Sequence, residues 1–91
     1  MWSVLLIWRI EFTPAAAKQL KKLGPENSRR IIKILQEKVR RDPYKHGKVL
    51  KGALREFRRY RIGDFRVLAH IEEERLLILI VRVGNRREVY R

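Results

Sequence analysis

Arginines are concentrated in one short stretch of the chain, FRRYRIGDFRV at residues 57–67. The guanidinium groups of Arg59, Arg61 and Arg66 can form forked, bidentate hydrogen bonds to phosphate, and they keep their protons at physiological pH. A group of such cations stabilises a bound anion or the negative charge that develops on a phosphate during a reaction. The chemistry that this stretch could carry is therefore phosphate binding or phosphodiester cleavage.

The same stretch is predicted to be a β-hairpin with a two-residue Gly-Asp turn. This turn places Arg61 opposite Arg66 and Arg59 opposite Leu68, on the face that carries fewer apolar side chains. At a separation of ~6 Å, the repulsion between Arg61 and Arg66 is about 0.7 kcal/mol in water and a few kcal/mol at an effective dielectric of about 20. A bound anion would reverse this cost. The alternative is that these arginines are solvated residues on an open sheet face.

The N-terminal half predicts a strand followed by two helices. Alternating apolar and polar residues from Trp8 predict the strand, which Thr13 and Pro14 end. Thr13 and Pro14 are also the cap and first residue of a helix that runs to Gly24. Pro25 begins a second helix, which ends before Pro43, and the short connection indicates an antiparallel helical hairpin.

The C-terminal half predicts the rest of the sheet. Residues 43–53 form a loop with a short strand at Lys48–Leu50, and the apolar run RLLILIVRV forms a buried strand that ends at Gly84. The order β-α-α-β-β-β predicts an α+β fold, with two antiparallel helices packed on a mainly antiparallel four-stranded sheet. At 91 residues, the chain is expected to be a single domain over residues 1–91.

Composition limits the partners and cofactors. The net charge of +13 predicts an anionic partner such as nucleic acid or an acidic protein. MWSVLLIW is too short to span a membrane and is interpreted as a strand, so no membrane association is expected. The chain has no cysteine, and neither His46 nor His70 stands at metal-ligand spacing, so no metal is expected. A cytoplasmic location is the simplest interpretation.

Three ordered motifs carry a family resemblance: L-K-G at residues 50–52, R-x-R-I-G-D-F-R at 59–66 and V-G-N-R-R-E-V-Y at 83–90. With them the chain resembles the RelE family of toxins from type II toxin-antitoxin pairs, within the RelE/ParE superfamily. The resemblance implies a RelE-like microbial ribonuclease fold and a ribosome-dependent endoribonuclease, which cleaves messenger RNA in the ribosomal A site without metal or other cofactor. It also implies an acidic, RelB-like cognate antitoxin as partner, in a toxin-antitoxin heterotetramer.

The resemblance also implies which residues form the active surface. The catalytic residues are Arg61, Arg66, Arg86 and Tyr90, and the RNA- or phosphate-binding residues are Arg58, Arg59, Lys51 and Arg87. Tyr90 could act as a general base or stack on a nucleobase, and Arg58 has the parity of the apolar face and could be structural. Some family members have lysine at the positions of Arg59 and Arg61, and others have histidine near Asn85. The general acid is therefore unassigned, because arginine effectively cannot give up its proton.

Two other functions are compatible with the same resemblance. One is a ParE-like toxin that inhibits DNA gyrase by binding, without nuclease chemistry. The other is a catalytically weak relative that binds RNA or an antitoxin. The retained arginines and Tyr90 favour the nuclease over the gyrase inhibitor.

Overall fold

The computed structural model of the protein describes residues 8–50 and 57–85. Its strands and helices are β1 (Arg9–Phe12), α1 (Pro14–Lys22), α2 (Pro25–Ile34), β2 (Lys48–Val49), β3 (Phe57–Ile62), β4 (Phe65–Glu72) and β5 (Leu77–Asn85). A π-helical segment, Leu35–Val39, continues α2, and a 3₁₀ turn, Glu73–Arg75, joins β4 to β5. The predicted succession of one strand, two helices and then the remaining strands is confirmed.

The described strands form one mixed sheet in the order β1-β5-β4-β3-β2. β1 pairs in parallel with β5, whereas the other neighbours pair antiparallel. The predicted α+β fold is confirmed, but the count of four strands is too low, because β2 joins the outer edge of β3 as a fifth strand. The short strand predicted at Lys48–Leu50 is confirmed as β2, and its pairing with Arg58 and Arg59 gives its place at the sheet edge, which the sequence did not predict.

The first helix begins as the sequence predicts. The Thr13 side chain accepts a hydrogen bond from the Ala16 amide at 3.1 Å, and Pro14 is the first helical residue. Gly24 follows the helix with a φ of 92°, a conformation that favours glycine, and directly precedes Pro25 of α2. The helices therefore follow one another with only Leu23 and Gly24 between them.

The second helix departs from α-helical geometry at Leu35. The Arg40 amide donates to the Leu35 carbonyl at 2.8 Å, which is the i→i+5 bond of a π-helix. In an α-helix, residues four apart drift by about 40° around the axis, and the wider π turn reduces this drift. As a result Val39 is buried with Leu35 and Ile31. The sequence predicted one uninterrupted helix here, because the apolar spacing alone does not distinguish the two forms.

The hydrophobic core lies between the helices and one face of the sheet. Its buried members are Ala16, Leu20, Ile31, Leu35, Val39, Tyr60, Ile62, Val67, Ala69, Ile78, Ile80 and Val83. The hairpin register predicted one apolar face, and its residues all belong to this core or pack against it: Tyr60, Ile62, Phe65, Val67, Ala69 and Ile71. The opposite face of the hairpin is thereby left to carry the arginines.

The last strand extends further than predicted and is bulged. β5 begins at Leu77, after Leu76 in the left-handed conformation, and continues through Gly84 to Asn85. Its register with β4 shifts between Leu68 and Ala69, as at a β-bulge. Beyond the end of β1, the amide of Val83 donates to the Gln19 side chain of α1 at 2.8 Å. No helix in residues 8–50 or 57–85 is long and apolar enough to span a membrane.

Candidate nucleic-acid interface

The β3-β4 hairpin has the register that the sequence predicted. Arg61 pairs with Arg66, and Arg59 pairs with Leu68. The turn residue Gly63 has a φ of 60°, which glycine adopts without steric cost. Two cationic side chains therefore face each other across neighbouring strands, an arrangement that an anion between them would stabilise.

A surface cleft of about 310 Å³ lies beside this pair. It is lined by Val39, His46, Gly47, Lys48, Arg59, Tyr60, Arg61, Ile62 and Arg66. Hereafter it is called the arginine cleft. The structure thus brings three of the predicted site residues together and adds Lys48, which pairs directly with Arg59 and so shares its face of the sheet.

The two opposed arginines differ in exposure. Arg66 is only 4% exposed, and its Nη1 donates to the Phe65 carbonyl at 3.2 Å, whereas Arg61 is exposed. Ordering a long arginine side chain on binding costs conformational entropy. Because Arg66 is buried, its side chain is already ordered before a ligand binds, so less entropy is lost on binding. Arg66 is therefore the fixed member of the pair, and Arg61 is the one that can move toward a phosphate.

Arg58 holds the loop that forms one wall of the arginine cleft. Its Nε donates to the His46 carbonyl at 2.7 Å, and its Nη2 donates to the carbonyls of Tyr44 at 2.7 Å and Gly47 at 3.4 Å. The guanidinium also lies 5.7 Å from the centre of the Tyr44 ring, within cation–π range. These contacts favour the structural role for Arg58, while RNA binding by this residue stays a prediction.

Tyr60 holds the same loop from the core side of the sheet. Its hydroxyl donates to the Pro43 carbonyl at 2.8 Å, and burial raises the pKa of Tyr60 to about 12. Gly47 has a φ of 74°, and a Cβ there would overlap the Arg59 carbonyl oxygen and lie 2.7 Å from the Tyr60 ring. The loop can therefore pass this close to β3 only with glycine at position 47.

Several predicted site residues lie outside the described part of the chain. They are Lys51, Arg86, Arg87 and Tyr90. Their roles stay predictions. The last described residue, Asn85, pairs with Phe65 at the β5 side of the hairpin.

The two histidines occupy different surroundings. The His70 ring lies 5.7 Å from the Phe57 ring, and its Nδ1 is 3.8 Å from a Glu72 carboxylate oxygen. His46 lines the arginine cleft. No motif in the sequence singles out His46 or Lys48 as site residues, and the structure brings both to the arginine cleft. In residues 8–50 and 57–85, no three His, Asp or Glu side chains are grouped as metal ligands would be.

Comparison with known sequences finds two matches, and both are to toxins. Residues 10–90 match the family described as the ParE toxin of the type II toxin-antitoxin system parDE. Toxin RelG of Mycobacterium tuberculosis is 30% identical to this chain over 84 residues, which cover 92% of this chain and 97% of RelG. These matches extend over nearly all of both proteins.

Comparison with solved structures extends the similarity to the fold. A chain of the toxin-antitoxin complex RelBE2 from M. tuberculosis superposes with a TM-score of 0.84 at 28% identity, covering 90% of this chain and 94% of that chain. A mutant of the E. coli toxin RelE in the free state superposes with a TM-score of 0.77 at 23% identity, covering 92% and 90% of the two chains. The latter similarity supports the fold alone.

Proposed function

Because this chain belongs to the ParE toxin family of type II toxin-antitoxin systems, within the RelE/ParE superfamily, we propose that it is a ribosome-dependent endoribonuclease. It would cleave messenger RNA in the A site without metal and so inhibit translation. The observation that carries this proposal is the arginine cleft of about 310 Å³, which Arg59, Arg61 and Arg66 line together.

The arginine cleft fits the charge changes of RNA cleavage. A base removes the proton from the 2′-hydroxyl, the 2′-oxygen attacks phosphorus, and negative charge builds on the phosphate oxygens. Arg61 and Arg66 are placed to bind these oxygens from two neighbouring strands, as preorganised donors that stabilise the transition state. Arg86 could add a third guanidinium, and Tyr90 could be the base.

In this proposal the ribosome orients the messenger RNA at the arginine cleft. The arginine cleft has a volume of only about 310 Å³, so few of its side chains can orient a flexible messenger. Binding in the A site would fix the RNA backbone and raise the effective concentration of the reacting groups. Activity on free RNA should accordingly be far weaker than on a translating ribosome.

The same proposal includes an acidic antitoxin as partner. The net charge of +13 favours association with an acidic protein, and the similar chain from M. tuberculosis comes from a toxin-antitoxin complex. A RelB-like antitoxin would neutralise this charge and block RNA, in a heterotetramer of two toxins and two antitoxins. The site of action would be the cytoplasm, where ribosomes translate.

Inhibition of DNA gyrase is the second candidate function. The observation that favours it is the family description, which names the parDE system. A gyrase inhibitor acts by binding and needs no phosphate cleft. The cross-strand repulsion between Arg61 and Arg66 has no use in such a protein, which makes this candidate the weaker one.

Toeprinting of a defined messenger in a purified translation system tests the nuclease. The parent chain is compared with the variant Arg86→Ala, Tyr90→Phe, with Arg61→Gln, and with the control Arg9→Gln, which removes one positive charge from β1 at the other edge of the sheet. We expect ribosome-dependent cuts from the parent and from Arg9→Gln, and strongly reduced cuts from the other two. Circular dichroism verifies that each variant is folded.

Two outcomes of this experiment would contradict the proposal. If the parent makes no cuts but slows a gyrase supercoiling assay, the nuclease proposal is wrong and the gyrase candidate takes its place. If cuts appear without ribosomes at the same rate, the ribosome-dependent part of the proposal is wrong.

A further inference from the structure

The arginine cleft contains two pairs of cations, whereas the proposed cleavage step uses only one. Arg61 of β3 stands directly opposite Arg66 of β4, and Lys48 of β2 stands directly opposite Arg59 of β3. All of these side chains line the cleft, and no Asp or Glu of the described residues lines it. The Lys48–Arg59 pair is therefore a second concentration of positive charge, for which the cleavage step gives no reason.

The two pairs occupy different positions on the sheet. Arg59 and Arg61 are two residues apart on β3, which is about 6.6–6.8 Å along the strand. Lys48 extends the first pair toward β2, whereas Arg66 extends the second pair toward β4. The midpoints of the pairs are thus also displaced across the sheet by about one strand spacing, which makes them about 8 Å apart. On the β4 side of Arg59 stands the apolar Leu68, so the second pair is not continued there.

This separation suits two phosphates that have one sugar between them better than a single phosphate. Proteins bind single-stranded nucleic acid through a positively charged groove that follows its backbone, in which consecutive phosphates are one sugar apart. Lys48 and Arg61 are exposed, and their long side chains can adjust each pair to such a strand. Like charges directly opposite each other in a sheet repel, so an anion at each pair relieves a repulsion.

We infer that the Lys48–Arg59 pair is a second phosphate site, which binds the phosphodiester next to the scissile one in single-stranded RNA. This inference rests on the proposed function, in which Arg61 and Arg66 hold the scissile phosphate. The neighbouring phosphate does not react, so its site needs only positive charge and hydrogen-bond donors, which an ammonium and a guanidinium group provide. Lys48 and Arg59 are then positioning residues, which fix the RNA backbone on one side of the bond to be cut.

The test compares small ligands that differ in the spacing of their phosphates. Adenosine 3′,5′-bisphosphate has two phosphates separated by one sugar, as in RNA, whereas adenosine 5′-diphosphate has two adjoining phosphates and adenosine 3′-monophosphate has one. Affinities are measured by NMR titration at low salt for the parent, for Lys48→Gln and for the control Lys45→Gln. Lys45 is exposed in the loop before β2 and does not line the arginine cleft, so this control removes the same charge nearby.

We expect the parent to bind the bisphosphate roughly 10- to 100-fold more tightly than either other ligand, as one added charge-assisted contact allows. Lys48→Gln should lose most of this preference while its affinity for the monophosphate stays close to that of the parent. Lys45→Gln should keep the preference. Circular dichroism verifies that both variants are folded.

Three results would overturn the inference. The first is a bisphosphate that binds no more tightly than the diphosphate. The second is a Lys48→Gln variant that loses equally for monophosphate and bisphosphate, because all the cations would then serve one phosphate. The third is a Lys48→Gln variant that binds like the parent, which would leave Lys48 as a residue that only protects the sheet edge. If the bisphosphate preference is found but the toeprinting assay shows no cuts, the nuclease proposal is wrong while the two phosphate sites stand.

Discussion

Replacement of Gly47 by alanine should destabilise the protein far more than its exposed loop position suggests. At φ 74° a residue with a Cβ pays about 1–2 kcal/mol for the left-handed conformation. The added Cβ would also overlap the Arg59 carbonyl oxygen and lie 2.7 and 2.9 Å from two carbons of the Tyr60 ring. A backbone atom of a central hairpin strand cannot yield cheaply, so the loop must move away from β3.

Movement of the loop breaks the bonds that hold it. The hydrogen bonds from Arg58 to the carbonyls of His46 and Gly47 and from Tyr60 to Pro43 contribute about 0.5–1.5 kcal/mol each, and more when the donor is charged. Together with the backbone term, we expect a loss of about 3–5 kcal/mol. A domain of 91 residues has a total free energy of unfolding of roughly 5–14 kcal/mol.

Gly63→Ala is the matched control. Gly63 also has a positive φ, of 60°, but nothing lies within 4 Å of the position that a Cβ would take, so only about 1–2 kcal/mol should be lost. Urea unfolding followed by circular dichroism should separate the midpoints of the two variants by about 1 M or more. Equal midpoints would refute the claim that the loop is packed tightly on β3.

Three further substitutions test the hairpin and its loop. Tyr60→Phe should make the free energy of unfolding less sensitive to alkaline pH. Because the pKa of Tyr60 is raised to about 12, the protonated hydroxyl stabilises the protein fully below the ordinary tyrosine pKa of about 10. This stabilisation is lost as the pH rises toward 12. Urea midpoints of the parent should therefore fall more steeply than those of the variant over this window, and parallel curves would contradict the assignment. Arg61→Gln should raise the free energy of unfolding by a few tenths of a kcal/mol, because it removes a like-charge cross-strand pair, and a loss of stability in a low-salt urea titration would show that the pair is not repulsive. Arg61→Gln should also lower the salt slope of RNA binding by about 1, measured by filter binding at several salt concentrations, whereas a slope equal to that of the parent would place Arg61 away from phosphate. Gln19→Ala should leave the amide of Val83 without its partner and cost about 1–3 kcal/mol, and an unchanged urea midpoint would show that water replaces the side chain.

Local patterns predict those parts of the fold that depend on neighbours in sequence. The Gly-Asp turn fixed the hairpin register, so the Arg61–Arg66 pair followed by counting residues. Thr13 and Pro14 likewise marked the start of α1. The π-helical segment at Leu35 and the bulge between Leu68 and Ala69 were not predictable, because both are adjustments to tertiary packing.

The residues of the arginine cleft could likewise be predicted only in part. Its hairpin arginines share one predicted element, so the sequence placed them on one face. His46 lies in the loop before β2, and Lys48 is the first residue of β2. The position of this loop depends on contacts of Arg58, Tyr60 and Gly47, which share no sequence motif. Residues of this kind become visible only when the pairing of β2 with β3 is known.

The arginines of this hairpin have opposite effects on the stability of the fold. Repulsion between Arg61 and Arg66 opposes folding, and burial of Arg66 adds to that cost because a guanidinium loses hydration. Arg58, on the same strand but on the opposite face, is used to fasten the loop against the strand edge. Arg58 on β3 therefore stabilises the structure, whereas the repulsion between Arg61 of β3 and Arg66 of β4 opposes folding and is relieved when an anion binds between them. The presence of two opposed arginines beside the arginine cleft is the physical reason to look for a phosphate there.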